Sequence, residues 1–496
     1  MVHPRRICRY VLCISCVIGL SVILRNAHMY LYESCRHEDY TTNLPNDVVR
    51  PEVRQSSALE PNYDQTVRSP DSHMQLNKLY AKRRKTMLDA CAGRDFDPAF
   101  RGNSSQNSIK DHFIVDRKHR IIYCAMEKVG STFWRRLWQI LAGLRSAHNP
   151  YDIPAGNALG GGQETFKNVF FDEIHTMIST YRSFIFTRHP FSRLFSGYVD
   201  KLFSPNPVFW KSLGTYIVSN FREGKKTGDN ICGYDVTFRE FVKYIIHSKL
   251  HNEHRDGHFL PMHDHCRPCQ VTYDIIGRME TIVDDTVYIV KSLGFDVIAN
   301  TLNKTMRASS VSDTIKDQVD ILFRYKNKVC ISFYIAQKLM WRKFQIRGVI
   351  SKHSKFPFTR EQAGNITEPE YVVAVTNAVS DIRDQAHAEQ YRQEAYAEAF
   401  SSVDREDMTK LAQILQVDCE IFGYDCSLTS LYHKLEKSQN PISFNCEWIS
   451  IPIQIPKLTE KTCLKWFPDT WSLIQLLTYG KQGLLEAKVC SYTQML

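Results

Sequence analysis

No G-x-x-x-x-G-K-[ST] run occurs in the 496 residues, so the ordinary triphosphate loop is not indicated, and neither is the metal-assisted site of a nucleotide-dependent kinase. A second C-x-x-C at a zinc-finger interval is also missing. Outside the N-terminal apolar run, where Cys13 and Cys16 stand, Cys266 and Cys269 form the one such pair, and His258, His263 and His265 nearby are what bring zinc into consideration. No nucleic-acid motif accompanies the formal net charge of +10, which leaves a different polyanion as the better partner. What is present, 43% hydrophobic and 23% charged residues, suffices for one large or two smaller globular cores and excludes a disordered chain.

The most informative stretch is Ile121 to Trp138, IIYCAMEKVGSTFWRRLW. Ile121 to Met126 form a short apolar run with β-branched and aromatic members, as expected of a strand buried on both faces. Glu127, Lys128, Gly130, Ser131 and Thr132 then supply a cation, a flexible hinge and two hydroxyls. Trp134, Leu137, Trp138 and Leu141 open a helical apolar stripe directly afterwards. A strand, a polar turn and a helix N-terminus make an anion site. The first helical N–H groups lack partners and sit at the positive end of the dipole. Gly130 lets the backbone approach the anion, and Lys128 adds a point charge.

A second stretch repeats the design. Phe184 to Phe203, FIFTRHPFSRLFSGYVDKLF, begins as a buried strand and turns at Pro190 into a helix. Arg188 stands at the strand's end, with Arg193 and Ser196 at the start of the helix, so two cations and a hydroxyl converge on a second anionic group. Two such sites imply a ligand with two phosphate-like ends.

KVGSTFWRR followed by FTRHPFSRLFSGYVDKL resembles the paired donor-binding motifs of the Golgi carbohydrate sulfotransferases, in particular the group of chondroitin and dermatan 4-O-sulfotransferases and the HNK-1 sulfotransferase. His258 to Glu280, HFLPMHDHCRPCQVTYDIIGRME, resembles a third block of that group, and Ile421 to Asp425, IFGYD, resembles its closing sequence. Glu127 and Phe133 depart from the proline and asparagine of many relatives, as does Phe259 from tryptophan; these departures bear on acceptor choice more than on donor binding.

The resemblance implies an α/β sulfotransferase fold, with a mainly parallel central sheet flanked by helices, whose ligand crevice opens at the strands' carboxyl ends. It implies in-line transfer of a sulfuryl group from 3′-phosphoadenosine 5′-phosphosulfate (PAPS) to a sugar hydroxyl, without a metal. The implied acceptor position is the 4-hydroxyl of N-acetylgalactosamine in chondroitin or dermatan. Terminal glucuronate, N-glycan N-acetylgalactosamine and an inactive glycan-binding protein are the alternatives. Lys128 would stabilise the sulfuryl and leaving phosphate oxygens together with Val129, Gly130, Ser131, Thr132 and Phe133, while Arg188, Arg193 and Ser196 would hold the 3′-phosphate. His175, just before the second anion strand, is the first choice for the base, His258 the second, and Glu173 a third. An anionic glycan or proteoglycan is the expected partner, and no oligomeric state is implied.

The remaining chain divides by composition. Residues 1–34 carry Arg5, Arg6 and Arg9 before the apolar run Tyr10 to Leu24, expected as a cytoplasmic tail and signal-anchor of a single-pass type II Golgi membrane protein, with a cleaved signal peptide as the competitor. Residues 35–110 lack sustained apolar periodicity and read as a flexible lumenal stem, in which Lys82 to Lys85 (KRRK) are a solvated charge run. The catalytic domain is expected over 111–425, with an insert near 296–390 of no evident role and a cysteine-containing extension over 426–496. Asn103, Asn303 and Asn365 open glycosylation sequons. Because Cys266 and Cys269 fall inside the third family-like block, structural disulfides are favoured over zinc.

Overall fold

The computed structural model describes residues 70–94, 110, 112–224, 232–379 and 385–437. The expected membrane span, Asn103 and Cys446, Cys463 and Cys490 lie outside these residues. Among the described residues no helix is long and apolar enough to cross a membrane.

The sheet is built around the strand expected at Ile121. Strands β1 (Phe113–Asp116) and β2 (Ile121–Cys124) are wholly buried and form an antiparallel hairpin. Strand β3 (Glu164–Thr165) extends the sheet on β1, and β4 (Arg182–Thr187) and β5 (Ile275–Arg278) extend it on β2, giving the order β3-β1-β2-β4-β5. The pairings β2–β4 and β4–β5 are parallel, with Cys124 opposite Ile185 and Thr187 opposite Arg278, whereas β1 pairs antiparallel with both β2 and β3. Four of the five strands thus point the same way, as in the mainly parallel sheet expected, and β1 alone runs against them. The reason is local: the Arg117–Arg120 turn is far too short for the crossover that a parallel neighbour requires.

Helix α1 (Pro70–Cys91) occupies part of the expected stem. Its buried face is Tyr80, Arg83 and Met87, a helical spacing in which only one aliphatic side chain appears, so apolar periodicity fails to reveal it. Tyr80 Oη donates to Asp285 Oδ1 (2.6 Å), and Arg83 Nη1 donates to Asp285 Oδ2 (2.7 Å) and the Ile276 carbonyl (2.9 Å). Arg83 is thus an internal ion-pair partner and not part of a solvated run. Cys91 is bonded to Cys269, and Cys124 to Cys266, so the C-x-x-C pair is consumed by two disulfides and forms no zinc finger.

Helix α2 (Ser131–Leu141) buries Trp134, Leu137, Trp138 and Leu141 on the sheet, where Trp134 packs on Phe184 and Phe186 with ring centroids 4.8 and 5.0 Å apart. Helix α3 (Phe171–Thr180) leads into β4, and α4 (Pro190–Tyr198) leads out of it. Helix α5 (Phe238–His251) begins at a reciprocal capping box between Thr237 and Glu240, and α6 (Ile282–Ser292) follows β5.

The insert is helical and packed. Helix α7 (Asp296–Arg324) places Ala299, Leu302 and Met306 in the sheet's core and Ile315, Val319 and Leu322 in a separate one. That second core is completed by Met340, Trp341 and Phe344 of α8 (Phe333–Ile346) and by Tyr371 and Val375, so the aromatic character of the insert is core. Helices α9 (Gln385–Ser401) and α10 (Arg405–Phe422) close the domain against α4 and α5, and Cys419 is bonded to Cys426.

Candidate active site

Beyond β2 the chain turns sharply. Lys128 and Gly130 both adopt left-handed backbone conformations, with φ of 69° and 82°. At Gly130 an added Cβ would lie 3.0 Å from Ile282 Cδ1 and 3.3 Å from Met279 Sδ, so position 130 requires glycine on conformational and steric grounds. Lys128 pays a strain of about 1–2 kcal/mol for the same geometry. Gly130 is the N-cap of α2; no side chain caps this terminus, and no acidic residue occupies its first turn. The positive end of the helix is therefore uncompensated by the protein, as an anion site demands.

The second turn sits beside the first at the carboxyl end of the neighbouring parallel strand. Arg188 Nη1 donates to the Lys128 carbonyl at 3.4 Å, joining the two turns. Burial lowers the Arg188 pKa to about 10, with Glu280 opposing, so the group remains a cation at neutral pH. Glu280 also accepts from the His189 N–H at 2.9 Å and from Tyr424 Oη at 3.2 Å. Tyr424 Oη lies 3.0 Å from Thr187 Oγ1, and His189 Nε2 lies 3.0 Å from the Asp425 carbonyl oxygen. The third and fourth family-like blocks thus converge on the second turn and fix its shape.

The Lys128 side chain enters a charge cluster that the sequence does not announce. Lys128 Nζ donates to Asp200 Oδ2 at 2.7 Å, and Lys343 Nζ donates to Asp200 Oδ1 at 2.8 Å. Lys343, 1% exposed, also donates to Ser204 Oγ at 3.2 Å and to Gln318 Oε1. Arg347, exposed one helical turn after Lys343, adds positive potential to Lys128, Arg188 and Asp200. The insert is anchored here as well: Arg136 on α2 makes a bidentate pair with Asp313 on α7, at 2.8 and 2.7 Å. Burial lowers the Lys128 pKa to about 8, with Asp200 opposing. Its charge is accordingly present below about pH 8 and lost above it. In the free enzyme kcat/KM should fall about tenfold per pH unit above that value. Lys128→Arg should move this limb to higher pH, because guanidinium stays charged; a limb left in place by the substitution would assign the titration to another group.

Residues 111–329 match the model of the sulfotransferase family. Over that segment the chain is similar to the sulfotransferases. Over 219 residues it is 32% identical to carbohydrate sulfotransferase 11 of Rattus norvegicus, covering 44% of this chain and 62% of the relative. Carbohydrate sulfotransferase 9 of Homo sapiens is 31% identical over 237 residues (46% and 52%), and carbohydrate sulfotransferase 8 of Mus musculus 32% over 243 (45% and 53%). The chain thus spans less than two thirds of the length of these relatives. No solved structure matches it.

Among the described residues the sequence-derived candidates do not all meet. Lys128, Val129, Gly130, Ser131, Thr132, Phe133, Arg188 and Ser196 belong to the paired turns and the helices that follow them. Arg193, 2% exposed, instead donates to three carbonyls, of Glu127 (3.0 Å), Leu260 (2.5 Å) and Gly257 (3.3 Å). Its hydrogen bonds brace the first turn against the segment preceding Met262. His175 is displaced from the site. Helix α3 is tied near both ends to the Arg117–Arg120 turn, through Glu173 to Arg117 and through the Thr180 carbonyl to Arg120, and that turn lies at the amino end of β2. His175 is exposed and packs on Phe171, and Glu173 is committed to Arg117. His258 is better placed. Its Nδ1 lies 2.7 Å from Asp256 Oδ1, and its ring packs edge-on to Phe209, which is also covered by Lys201, the neighbour of Asp200. The residues missed by sequence reasoning are Asp200, Gln318, Lys343 and Arg347. Only Asp200, inside the second donor-like stretch, carried any local signal.

Proposed function

We propose that this chain is a carbohydrate sulfotransferase that moves a sulfuryl group from PAPS to a sugar hydroxyl, the 4-position of N-acetylgalactosamine in chondroitin- or dermatan-type glycans. The observation that carries the reading is the junction of the two anion turns, with the Arg188 guanidinium bonded to the Lys128 carbonyl at the carboxyl ends of adjacent parallel strands. A ligand with two anionic ends fits that pair. PAPS supplies an activated sulfuryl group on a leaving bisphosphate. Lys128 and the main-chain N–H groups at the start of α2 hold the sulfuryl end, and Arg188 with Ser196 holds the 3′-phosphate. Arg193 positions the first turn. His258, oriented by Asp256, accepts the acceptor's proton at Nε2 in place of the His175 expected from sequence.

Catalysis on this reading is positioning and charge stabilisation. The four disulfides among the described residues, Cys232–Cys330 being the fourth, and the exposed sequons at Asn303 and Asn365 support a Golgi lumenal catalytic domain, anchored as a type II protein. The net charge of +10 supports a polyanionic acceptor over a neutral one.

Transfer of labelled sulfate to desulfated chondroitin and dermatan, followed by disaccharide analysis, tests the acceptor. Sulfation of a terminal glucuronate or an N-glycan N-acetylgalactosamine alone would overturn that choice while leaving the donor reading intact. Arg188→Ala should weaken PAPS binding by about 2–5 kcal/mol, and the loss should disappear with a donor lacking the 3′-phosphate. Equal losses with both donors would place Arg188 elsewhere.

A further inference from the structure

Directly before Lys128, three side chains from separate segments meet behind the first turn. Glu127 belongs to the turn, His112 precedes β1, and His265 lies in the short helix Met262–Cys266. Their ligand-type atoms all lie within 4.8 Å of one another. His112 Nδ1 and His265 Nε2 each stand 3.4 Å from a different Glu127 oxygen, and the two rings are 4.0 Å apart.

These contacts are long for charge-assisted hydrogen bonds, which close to about 2.7–2.9 Å. They match a different geometry. Ligands held at about 2.0–2.1 Å around a tetrahedral ion stand about 3.4 Å from one another. His265 is 1% exposed, and among the described residues neither of its ring nitrogens has a hydrogen-bond partner, nor has the buried Glu127 Oε2. Buried polar atoms left so are destabilising, and native structures seldom leave them without a partner. Gly257 faces the group, its missing Cβ 3.6 Å from both Glu127 Oε2 and His265 Cε1, and leaves room for a further small ligand such as water.

We propose that His112, Glu127 and His265 bind one zinc ion, with water as the fourth ligand, and that the ion clamps the Glu127–Gly130 turn to the Met262–Cys266 helix. The ligand set is two imidazoles and one carboxylate, which suits zinc. The clamp joins two ties already present, the Cys124–Cys266 disulfide and the Arg193 bond to the Glu127 carbonyl. Its role is to position Lys128, without a part in sulfuryl transfer, and it stands whether or not the acceptor is the one proposed above.

The full chain, purified without chelator, should carry one equivalent of zinc per chain by elemental analysis. Chelator should lower its thermal transition and zinc should restore it, because a ligand that binds only the folded state stabilises it. Cobalt in place of zinc should give the visible bands of a tetrahedral nitrogen and oxygen site. Glu127→Gln and His265→Ala should each abolish stoichiometric binding. The proposal is overturned if the native chain retains no metal after equilibration with zinc and melts identically with zinc and with chelator. It is equally overturned if Glu127→Gln binds the ion as the native chain does, which would place the metal among other histidines. Should His265→Ala fail to fold, the cobalt spectrum and the Glu127→Gln comparison still decide.

Discussion

Lys128→Ala is expected to lower turnover by about 10²–10³-fold at saturating donor, the loss seen when one preorganised donor to a developing anion is removed. The side chain is the cation of the first turn. It stands on a strained backbone that holds it there, and burial lowers its pKa far enough that its charge depends on Asp200. The fold should survive the substitution, because Asp200 keeps its second partner, Lys343. The loss should therefore appear in kcat with the chain still cooperatively folded. Near-normal turnover in a folded variant would remove Lys128 from the chemistry.

The second large effect belongs to Asp200. Its carboxylate is shared by Lys128 and Lys343, whose side chains are 14% and 1% exposed, and these two cations and Lys201 hold its pKa well below the ordinary value against the cost of burial. Asp200→Ala leaves two desolvated ammonium groups facing each other, which should cost about 3–5 kcal/mol of stability in a denaturant titration. Adding Lys343→Met to that variant removes one of the stranded charges and should recover part of the loss. A cost below about 1 kcal/mol, or no recovery in the double variant, would show that the cluster is solvated and carries little of the fold. The same variant should move the basic limb of the pH profile to lower pH, since Lys128 loses the charge that holds its proton.

The comparison of sequence with structure follows the range of the forces involved. The elements around Ile121 and Phe184 were legible because strand burial and helical periodicity are local, and so was the Gly130 turn, whose conformation excludes side chains. The helix starting at Phe238 is marked by an equally local signal, a cap and its partner three residues apart. The pairing of Lys128 with Asp200 spans 72 residues and that of Asp200 with Lys343 spans 143, and nothing in either neighbourhood encodes them. The expectation for His175 rested on its nearness in sequence to the second anion strand, which does not say to which end of the sheet the intervening helix is tied. Helix α1 hid because its inner face spends an arginine and a tyrosine on Asp285 where aliphatic side chains would have marked it.

The pairing of Cys91 with Cys269 and of Cys124 with Cys266 sets a clock on biosynthesis. The partners are 178 and 142 residues apart. At about 5–20 residues per second of synthesis, each early thiol waits about 7–36 s before its mate exists. During that interval Cys91 and Cys124 are open to the wrong partner, including each other. Correct maturation therefore depends on an exchange catalyst that keeps early bonds reversible, and the anion turn after Cys124 takes its final form only once residues 262–269 have been made. Yield of active enzyme from a host should consequently follow its disulfide isomerase capacity more closely than its rate of translation.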